Sequence, residues 1–349
     1  MINNQIGIVG AGNMGKAIAW AMERLGYQLV ILDQYEEAIQ SCQTLLKASH
    51  KFVKGKGYDT LTGCSTVISS LPYHQNLDLA TFCIDNGIPY FDLGGSVGVS
   101  NDINTYATNH ATAPVMTDLG LAPGWVNIMA DSMCREYLSR EGEVPNTITM
   151  MVGGLPQEIN NTLQYSCTWS FDGLINEYKD DCIVLQDGEY LTAKGMEGYE
   201  FPVMSEEIGA LEAFYTSGGA AHTIAVMKKR GVENCFYKTL RYPGHHKMVN
   251  FLIHESGLPD ETVIDIFKKT CPPQDDLVII RVTADELGLE KVIRSGKNFS
   301  AMQKATAFPI ASVAHMSCLY NLPKGVLKYD DLLDTQFNLW LDRLFQDAD

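Results

Sequence analysis

The sequence predicts an α/β fold: a Rossmann domain with a doubly wound parallel sheet, followed by a second α+β domain built on a largely antiparallel sheet. Three observations lead to this prediction. A glycine-rich turn at residues 10–15 links a strand pattern to a helix pattern, and strands and helices then alternate. After Pro123-Gly124 the alternation stops, and strand-like stretches separated by turns and helices follow from about residue 145.

Short apolar runs predict the strands of the first half, and apolar residues at helical spacing predict its helices. The predicted strands are 5–10, 28–32, 66–71 and 89–94, and the predicted helices are 13–26, 35–48 and 76–86. Strands that alternate with helices of this length form parallel sheets.

The second half is predicted to hold strands at 147–154, 182–191 and 277–284, with helices near 219–230, 245–256 and 260–269. An apolar helix at 300–320, which Pro309 kinks or starts, is expected to pack back on the first domain. The predicted domains are therefore residues 1–122 with 300–349, which bind the dinucleotide, and residues 123–299, which bind substrate and mediate oligomerisation.

Composition restricts the class of protein. A chain of 349 residues with 46% hydrophobic and 19% charged residues is typical of a folded protein with two domains. Its net charge of −16 argues against a nucleic-acid partner. No apolar run reaches 18 residues, and the first strand begins directly after Met1–Asn4 without room for a signal peptide, so we expect a soluble cytoplasmic protein with no membrane contact.

The nine cysteines are scattered, with no C-x-x-C pair. An odd number without paired spacing argues against a disulfide framework and against a structural zinc site. We therefore expect free thiols in a reducing compartment and no metal.

The segment Gly10-Ala11-Gly12-Asn13-Met14-Gly15 has the G-x-G-x-x-G pattern between a strand and a helix. Gly10 allows the tight turn, Gly12 lets a pyrophosphate approach the backbone, and Gly15 permits close helix–strand packing. The helix that begins at Asn13 and Met14 offers free N–H groups to the phosphates. The pattern predicts a dinucleotide site.

Asp33 ends the second strand, where a carboxylate accepts hydrogen bonds from the adenosine ribose and repels a 2′-phosphate. Gln34 and Tyr35 follow without an Arg, so NAD is favoured over NADP as the cofactor. Ser70, Leu71 and Pro72 follow a later strand at the same sheet edge and are predicted to contact the cofactor.

Several further segments are improbable as mere packing. They are YFDLGG (90–95), DLGLAPGWVN (118–127), WSFDGLINEY (169–178), LEAFYTSGG (211–219) and KTLRYPGH (238–245). Together with GAGNMG at 10–15 they resemble the saccharopine dehydrogenase-like superfamily over nearly the whole chain, in unchanged order.

This resemblance implies an NAD-dependent oxidoreductase acting on the CH–NH2 group of an amino acid, and the match is best to members that oxidise the terminal amine of L-lysine to allysine, ammonia and NADH. It also implies a substrate placed between a Rossmann domain and an α+β domain, and a homodimer or higher homo-oligomer.

The chemistry then suggests roles for individual side chains. The amine must lose its proton before oxidation, which requires a carboxylate or His nearby. Asp92 and Asp118, each at the end of an apolar strand, and His245 are the catalytic candidates. Arg241 suits the substrate carboxylate because guanidinium binds carboxylate through two hydrogen bonds. The segment Tyr215-Thr216-Ser217 is predicted to line the substrate site.

Two alternatives stay open at this point. A relative that reduces an imine formed from two substrates, such as saccharopine reductase or carboxynorspermidine dehydrogenase, would share these segments. A catalytically silent NAD-binding regulatory protein would also keep the glycines and Asp33.

Overall fold

The computed structural model describes residues 4–166, 170–332 and 334–348. It confirms the predicted fold class, with one parallel Rossmann-type sheet and a second, mostly antiparallel sheet. The chain divides into two compact units: unit 1 comprises Met1–Trp125 and Gln303–Asp349, and unit 2 comprises Val126–Met302. Trp169 of the WSFDGLINEY segment lies outside the described residues.

The strands, in chain order, are β1 (Gln5–Val9), β2 (Gln28–Asp33), β3 (Lys51–Lys54), β4 (Thr66–Ser69), β5 (Tyr90–Asp92), β6 (Pro114–Met116), β7 (Thr147–Pro156), β8 (Asp181–Gln186), β9 (Glu189–Lys194), β10 (Glu200–Ser205), β11 (Gly209–Tyr215), β12 (Asn234–Arg241), β13 (Asp276–Ala284), β14 (Leu287–Arg294) and β15 (Gly325–Val326). The α-helices are α1 (Asn13–Arg24), α2 (Glu36–Leu45), α3 (Asn76–Asp85), α4 (Val97–His110), α5 (Trp125–Glu141), α6 (Phe171–Lys179), α7 (Thr223–Arg230), α8 (His245–Asn250), α9 (Asp260–Thr270), α10 (Ala301–Leu319) and α11 (Asp334–Ala348). Among these helices, none combines the length and the apolar character needed to cross a membrane.

The unit 1 sheet has the strand order β15-β6-β5-β4-β1-β2-β3, and every pair in it is parallel. Its central strands are buried because helices cover a parallel sheet on both faces, and β1, for example, is apolar from Ile6 to Val9. The order reverses between β1 and β4. In open parallel sheets, ligands bind beyond the carboxyl ends of the strands at such a reversal.

The last part of the chain belongs to unit 1. The predicted helix at 300–320 is observed as α10, and Pro309 lies inside it rather than at its start. Next to this proline, Phe308 stacks on Trp20 of α1 with ring centroids 5.8 Å apart and packs against Phe345 of α11 at 5.1 Å. These aromatic contacts join α10 and α11 to the helix that follows the glycine turn.

In the unit 2 sheet, β7 is central. It pairs parallel with β12 and antiparallel with β13, while β10–β11, β11–β12 and β13–β14 are antiparallel. The β8–β9 hairpin joins β12 through one bridge between Leu185 and Cys235. A cluster of buried apolar and aromatic side chains, including Tyr165, Tyr178 and Phe267, packs α6 and α9 together beside the sheet.

Several predicted elements differ in extent from those observed, and two of these errors have a clear physical reason. The single strand predicted at 182–191 is the hairpin β8–β9, because Asp187 and Gly188 both have positive φ (52° and 75°) and form a tight turn. The helix predicted at 35–48 ends at Leu45, and the edge strand β3 follows. Half-exposed β3 shows no apolar run in the sequence, which is why the prediction missed it.

Candidate functional site

The three glycines of residues 10–15 differ in what surrounds them. A Cβ on Gly15 would lie 1.8 Å from the Gly10 carbonyl oxygen, and one on Gly10, whose φ is +95°, would lie 2.7 Å from the Ser70 carbonyl oxygen. A Cβ on Gly12 would meet nothing within 4 Å. Gly10 and Gly15 are therefore required by packing, whereas the space over Gly12 is open.

The first turn of α1 complements this open space. Gly12 precedes the helix, and no side chain caps its first N–H groups. Asn13 and Met14 begin the helix, and the Asn13 carbonyl accepts a hydrogen bond from the Gln303 side chain (2.8 Å). The first N–H groups of α1 thus point toward a space that is open because residue 12 has no side chain. This arrangement suits the pyrophosphate of a dinucleotide.

Asp33 is hydrogen-bonded to the same glycine loop. Its carboxylate accepts hydrogen bonds from the Ala11 N–H (2.6 Å) and from the Tyr35 N–H (2.8 Å). Across the parallel β2–β3 pair, Asp33 is in register with Lys54, whose ammonium instead pairs with Glu36 at 3.5 Å. The Asp33 carboxylate is therefore fixed beside the glycine loop, with a lysine on the next strand that the sequence analysis overlooked.

The segment Ser70-Leu71-Pro72 directly follows β4. The Ser70 N–H bonds to the Val9 carbonyl (2.8 Å), and the Leu71 N–H bonds to the Ser69 hydroxyl (3.4 Å). Pro72 precedes a short 3₁₀ turn. The close approach of Ser70 to Gly10 shows that this segment and the glycine turn share one edge of the sheet.

Asp92 and Asp118 are also brought together at the carboxyl edge of the unit 1 sheet. The Asp118 N–H and the Gly94 N–H both donate to Asp92 Oδ1, at 3.1 and 2.8 Å, and the Tyr90 hydroxyl donates to Asp92 Oδ2 at 3.0 Å. Asp118 adopts a φ of 63° and accepts a hydrogen bond from the Ser100 hydroxyl at 2.9 Å. These hydrogen bonds hold the two buried carboxyl groups in a fixed arrangement.

Burial disfavours the charged form of both groups. It raises the pKa of Asp92 to about 7, with a further contribution from the neighbouring Asp118 carboxylate that backbone and Tyr90 hydrogen bonds oppose. Burial also raises the pKa of Asp118, against the hydroxyls of Ser100 and Thr117. A carboxyl that titrates near neutral pH has the property that acid–base catalysis requires.

Arg241, at the end of β12 in unit 2, is only 4% exposed. Its Nε donates to the Tyr178 hydroxyl (2.8 Å) and its Nη1 to the Leu240 carbonyl (2.9 Å), and its guanidinium lies over the rings of Tyr165 and Tyr178 at 5.1 and 5.7 Å. Within the described residues it forms no ion pair with a carboxylate. A buried cation without a carboxylate partner is unusual, because desolvating a charge is costly.

The nearest carboxylate in register does not fill this role. Glu212 faces Arg241 across the antiparallel β11–β12 pair. Its two oxygens instead accept the N–H groups of Gly244 (2.9 Å) and His246 (2.5 Å) at the start of α8. The guanidinium of Arg241 therefore keeps hydrogen-bonding capacity that the described part of the chain does not use.

His245 is joined to Arg241 through Tyr178. Its Nδ1 lies 2.7 Å from the Leu163 carbonyl, so Nδ1 carries the proton, and its Nε2 accepts from the Tyr178 hydroxyl at 3.0 Å. Burial, together with Arg241, lowers the pKa of His245 to about 3. The imidazole is neutral, and it holds Tyr178 in the orientation that receives the Arg241 Nε–H.

The segment Tyr215-Thr216-Ser217 is divided. The Thr216 hydroxyl bonds to the Thr239 hydroxyl at 2.7 Å, and the Ser217 N–H donates to the Glu177 carbonyl at 2.9 Å, which brings both next to α6 and β12. Tyr215 instead stacks on Phe236, with the Lys238 ammonium 5.3 Å from its ring.

Sequence reasoning missed Glu177, Tyr178 and Tyr165 as members of this cluster. Glu177 and Tyr178 lie in the segment 169–178, which was singled out without a role. The helical spacing of Leu174 and Tyr178 could have indicated them, because it buries the tyrosine and leaves the preceding Glu177 partly exposed.

Comparison with known proteins identifies related chains. A family model described as saccharopine dehydrogenase NADP binding domain matches residues 6–119, and one described as saccharopine dehydrogenase C-terminal domain matches residues 120–347. Saccharopine dehydrogenase (L-Glu forming) from Saccharomyces cerevisiae is 15% identical, with a TM-score of 0.76 over 99% of this chain and 97% of that one. This likeness extends to the fold alone.

Two further solved structures are more distant. DAP dehydrogenase from Corynebacterium glutamicum is 10% identical, with a TM-score of 0.49 over 99% of each chain. A myo-inositol dehydrogenase from Corynebacterium glutamicum is 11% identical, with a TM-score of 0.45 over 99% of this chain and 96% of that one.

The different surroundings of Gly12 and Gly15 give a matched pair of variants. Gly15→Ala should lower the free energy of unfolding by about 1–3 kcal/mol, because its Cβ collides with the Gly10 carbonyl. Gly12→Ala should unfold as the wild type does and yet bind NADH more weakly, because its Cβ enters the open space. Thermal unfolding and NADH fluorescence titration measure the two effects. Wild-type NADH affinity in Gly12→Ala would contradict the placement of the pyrophosphate.

The raised pKa of Asp92 predicts a pH dependence of stability. From about pH 4, where an unfolded Asp titrates, to about pH 7, the folded protein holds more protons at Asp92 than the unfolded chain, so this group makes the free energy of unfolding fall as pH rises. Asp92→Asn abolishes the titration. In denaturant unfolding, its stability relative to wild type should increase from pH 4 to pH 7. The exposed Asp102→Asn is the control, and a constant difference for Asp92→Asn would refute the prediction.

Proposed function

The chain belongs to the saccharopine dehydrogenase family, and from that premise we propose that it is an L-lysine 6-dehydrogenase that uses NAD. As a family member it is an oxidoreductase that uses a nicotinamide dinucleotide. The finer proposal is that the terminal CH–NH2 group of L-lysine loses a hydride to NAD and a proton to give an imine, which water hydrolyses to the aldehyde allysine with release of ammonia. NAD, when bound at the glycine loop, supplies the hydride acceptor.

The proposal rests on the buried guanidinium of Arg241, which forms no ion pair with any of the described residues. A planar cation with unused donors matches a carboxylate through two parallel hydrogen bonds. An amino-acid substrate provides that carboxylate and recovers part of the cost of keeping Arg241 out of water. A hydroxy sugar or a simple amine would leave the cation uncompensated.

We also propose roles for the remaining groups, from their pKa values and their hydrogen bonds. Asp92, with Asp118 beside it, is the acid–base group for the reacting amine, because its pKa near 7 lets it both accept and release a proton at physiological pH. His245 acts through Tyr178, whose hydroxyl receives the Arg241 Nε–H, and is thus a positioning residue for the carboxylate site. Thr216 and Ser217, next to α6, line that site.

The experiment that tests this function is a panel of amines with NAD, read by NADH absorbance. L-Lysine is expected to produce NADH without a second substrate, and cadaverine, which lacks the carboxylate, is expected to react poorly. Arg241→Ala should raise the KM for L-lysine by about a hundredfold, since a charged hydrogen bond contributes roughly 1.5–3 kcal/mol, and should leave cadaverine unaffected. The exposed Arg294→Ala serves as the control.

Other results of the panel identify the alternatives. Turnover only when an aldehyde and a second amine are supplied together would show an imine reductase. Binding of NADH without turnover of any amine would show a regulatory protein. Either result would overturn the lysine proposal.

The preference for NAD rests on Asp33, and its removal should relax it. Asp33→Ala loses the ribose acceptor and the charge that repels a 2′-phosphate, and it exposes Lys54 on the neighbouring strand as a phosphate partner. Because the Ala11 hydrogen bond is lost for both cofactors, the readout is the ratio of kcat/KM for NAD and NADP. We expect this ratio to fall by about tenfold or more. An unchanged ratio would contradict the assignment of Asp33.

A further inference from the structure

We propose that Glu177 is a specificity-determining residue that binds the α-ammonium group of the amino acid whose carboxylate Arg241 holds. The unit 2 site then accepts α-amino acids and rejects both plain carboxylic acids and diamines. This inference rests on the proposed carboxylate site at Arg241, and it names the class of molecule that this site recognises.

Two hydrogen bonds hold the chain at Glu177 and Tyr178, and one of them involves Arg241. Glu177 precedes Tyr178, which accepts the Arg241 Nε–H, and its own carbonyl holds the Ser217 N–H at 2.9 Å. The last turns of α6 are thereby tied both to β12 and to the turn that follows β11. The backbone around Glu177 is therefore held at two points, one of which is the tyrosine whose hydroxyl accepts from the guanidinium.

The carboxyl of Glu177 and the guanidinium of Arg241 interact electrostatically without forming an ion pair. Burial raises the pKa of Glu177 to about 8, and the Arg241 charge opposes this rise. Glu177 also acts on buried Tyr237, whose pKa it helps to raise. Glu177 nevertheless keeps partial exposure, whereas Arg241 is almost completely buried. The Arg241 charge is therefore not neutralised by an ion pair with Glu177, and the Glu177 carboxyl can ionise in this place only at a cost in desolvation.

A zwitterionic ligand satisfies both groups at once, because its carboxylate binds the Arg241 cation and its ammonium favours the ionised form of Glu177. The α-carboxylate and the α-ammonium of an amino acid are attached to the same carbon, so a carboxylate bound at Arg241 brings the ammonium to the neighbouring Glu177. The terminal amine of lysine lies at the other end of the side chain and is too far from the carboxylate to compete for this position. Glu177 thus binds the α-amino end of the substrate, which is the end that does not react.

The proposal implies that ligand binding is linked to a proton. Below about pH 8 the Glu177 carboxyl of the free protein is protonated in a substantial fraction of molecules. An ammonium group favours the carboxylate form, so binding an α-amino acid at pH 7 releases a proton from Glu177. A carboxylic acid without an α-amino group releases none from this residue.

The test uses the full chain saturated with NADH and two ligands that cannot be oxidised at a terminal amine. L-Norleucine has both the α-carboxylate and the α-ammonium, and hexanoate has the carboxylate alone. Isothermal titration calorimetry should show that the wild type binds norleucine at least about tenfold more tightly than hexanoate. Glu177→Gln should abolish this preference by weakening norleucine, with hexanoate unchanged, and Glu177→Asp should retain part of it.

Asp172→Asn is the matched control, because it removes a negative charge from the exposed first turn of the same helix. It should leave the norleucine preference intact. Titrations of the wild type in two buffers of different ionisation enthalpy count the released protons and need no variant. A proton released with norleucine and not with hexanoate supports the proposal.

Equal affinity of the wild type for the two ligands, or an undiminished preference in Glu177→Gln, would overturn it. A variant that loses kcat for lysine while keeping the norleucine preference would show that Glu177 works on the reacting amine instead. Because norleucine binding does not require lysine oxidation, these outcomes are separate from failure of the proposed dehydrogenase activity.

Discussion

The arrangement of polar groups around Arg241 in unit 2 depends on the burial of its guanidinium. A cation taken out of water must be compensated by hydrogen bonds, ring faces or an anion. Here the Tyr178 hydroxyl, the Leu240 carbonyl and two tyrosine rings supply part of this compensation. Glu212, the carboxylate in register on the next strand, is bound to the start of α8 instead. The remaining compensation is what an anionic ligand can provide, and neutral His245 maintains this state by orienting Tyr178.

Unit 1 is governed by a different constraint, the close approach of backbone to backbone at the carboxyl edge of its sheet. Gly10 and Gly15 allow β1, α1 and the segment after β4 to meet there, and Asp33 is hydrogen-bonded to the same turn. At this edge Asp92 and Asp118 are buried together, and their mutual repulsion and desolvation move the pKa of Asp92 to about 7. The sheet edge therefore combines the glycine turn with a buried carboxyl whose pKa lies near neutral pH.

The Rossmann half was predictable because each of its signals is local. Strand, glycine turn, helix and acidic strand end follow one another from residue 5 to Asp33, and the structure has them there. The 182–191 error was also local, since Asp187-Gly188 is a hairpin signal that the apolar run concealed. Glu177 could not be predicted in this way. Its significance comes from an arginine on a distant strand and from the absence of an ion pair between them, and sequence spacing records neither.

If Arg241 holds the carboxylate end of the substrate, oxidation takes place at the other end. The most direct test is isotope transfer from L-lysine carrying deuterium either at C6 or at C2, with NAD, followed by mass analysis of the NADH formed. We expect deuterium in NADH from the C6-labelled substrate, with a slower rate than for unlabelled lysine, and none from the C2-labelled substrate. Deuterium in NADH from the C2 label would contradict it, because the reacting carbon would then be the one beside the carboxylate.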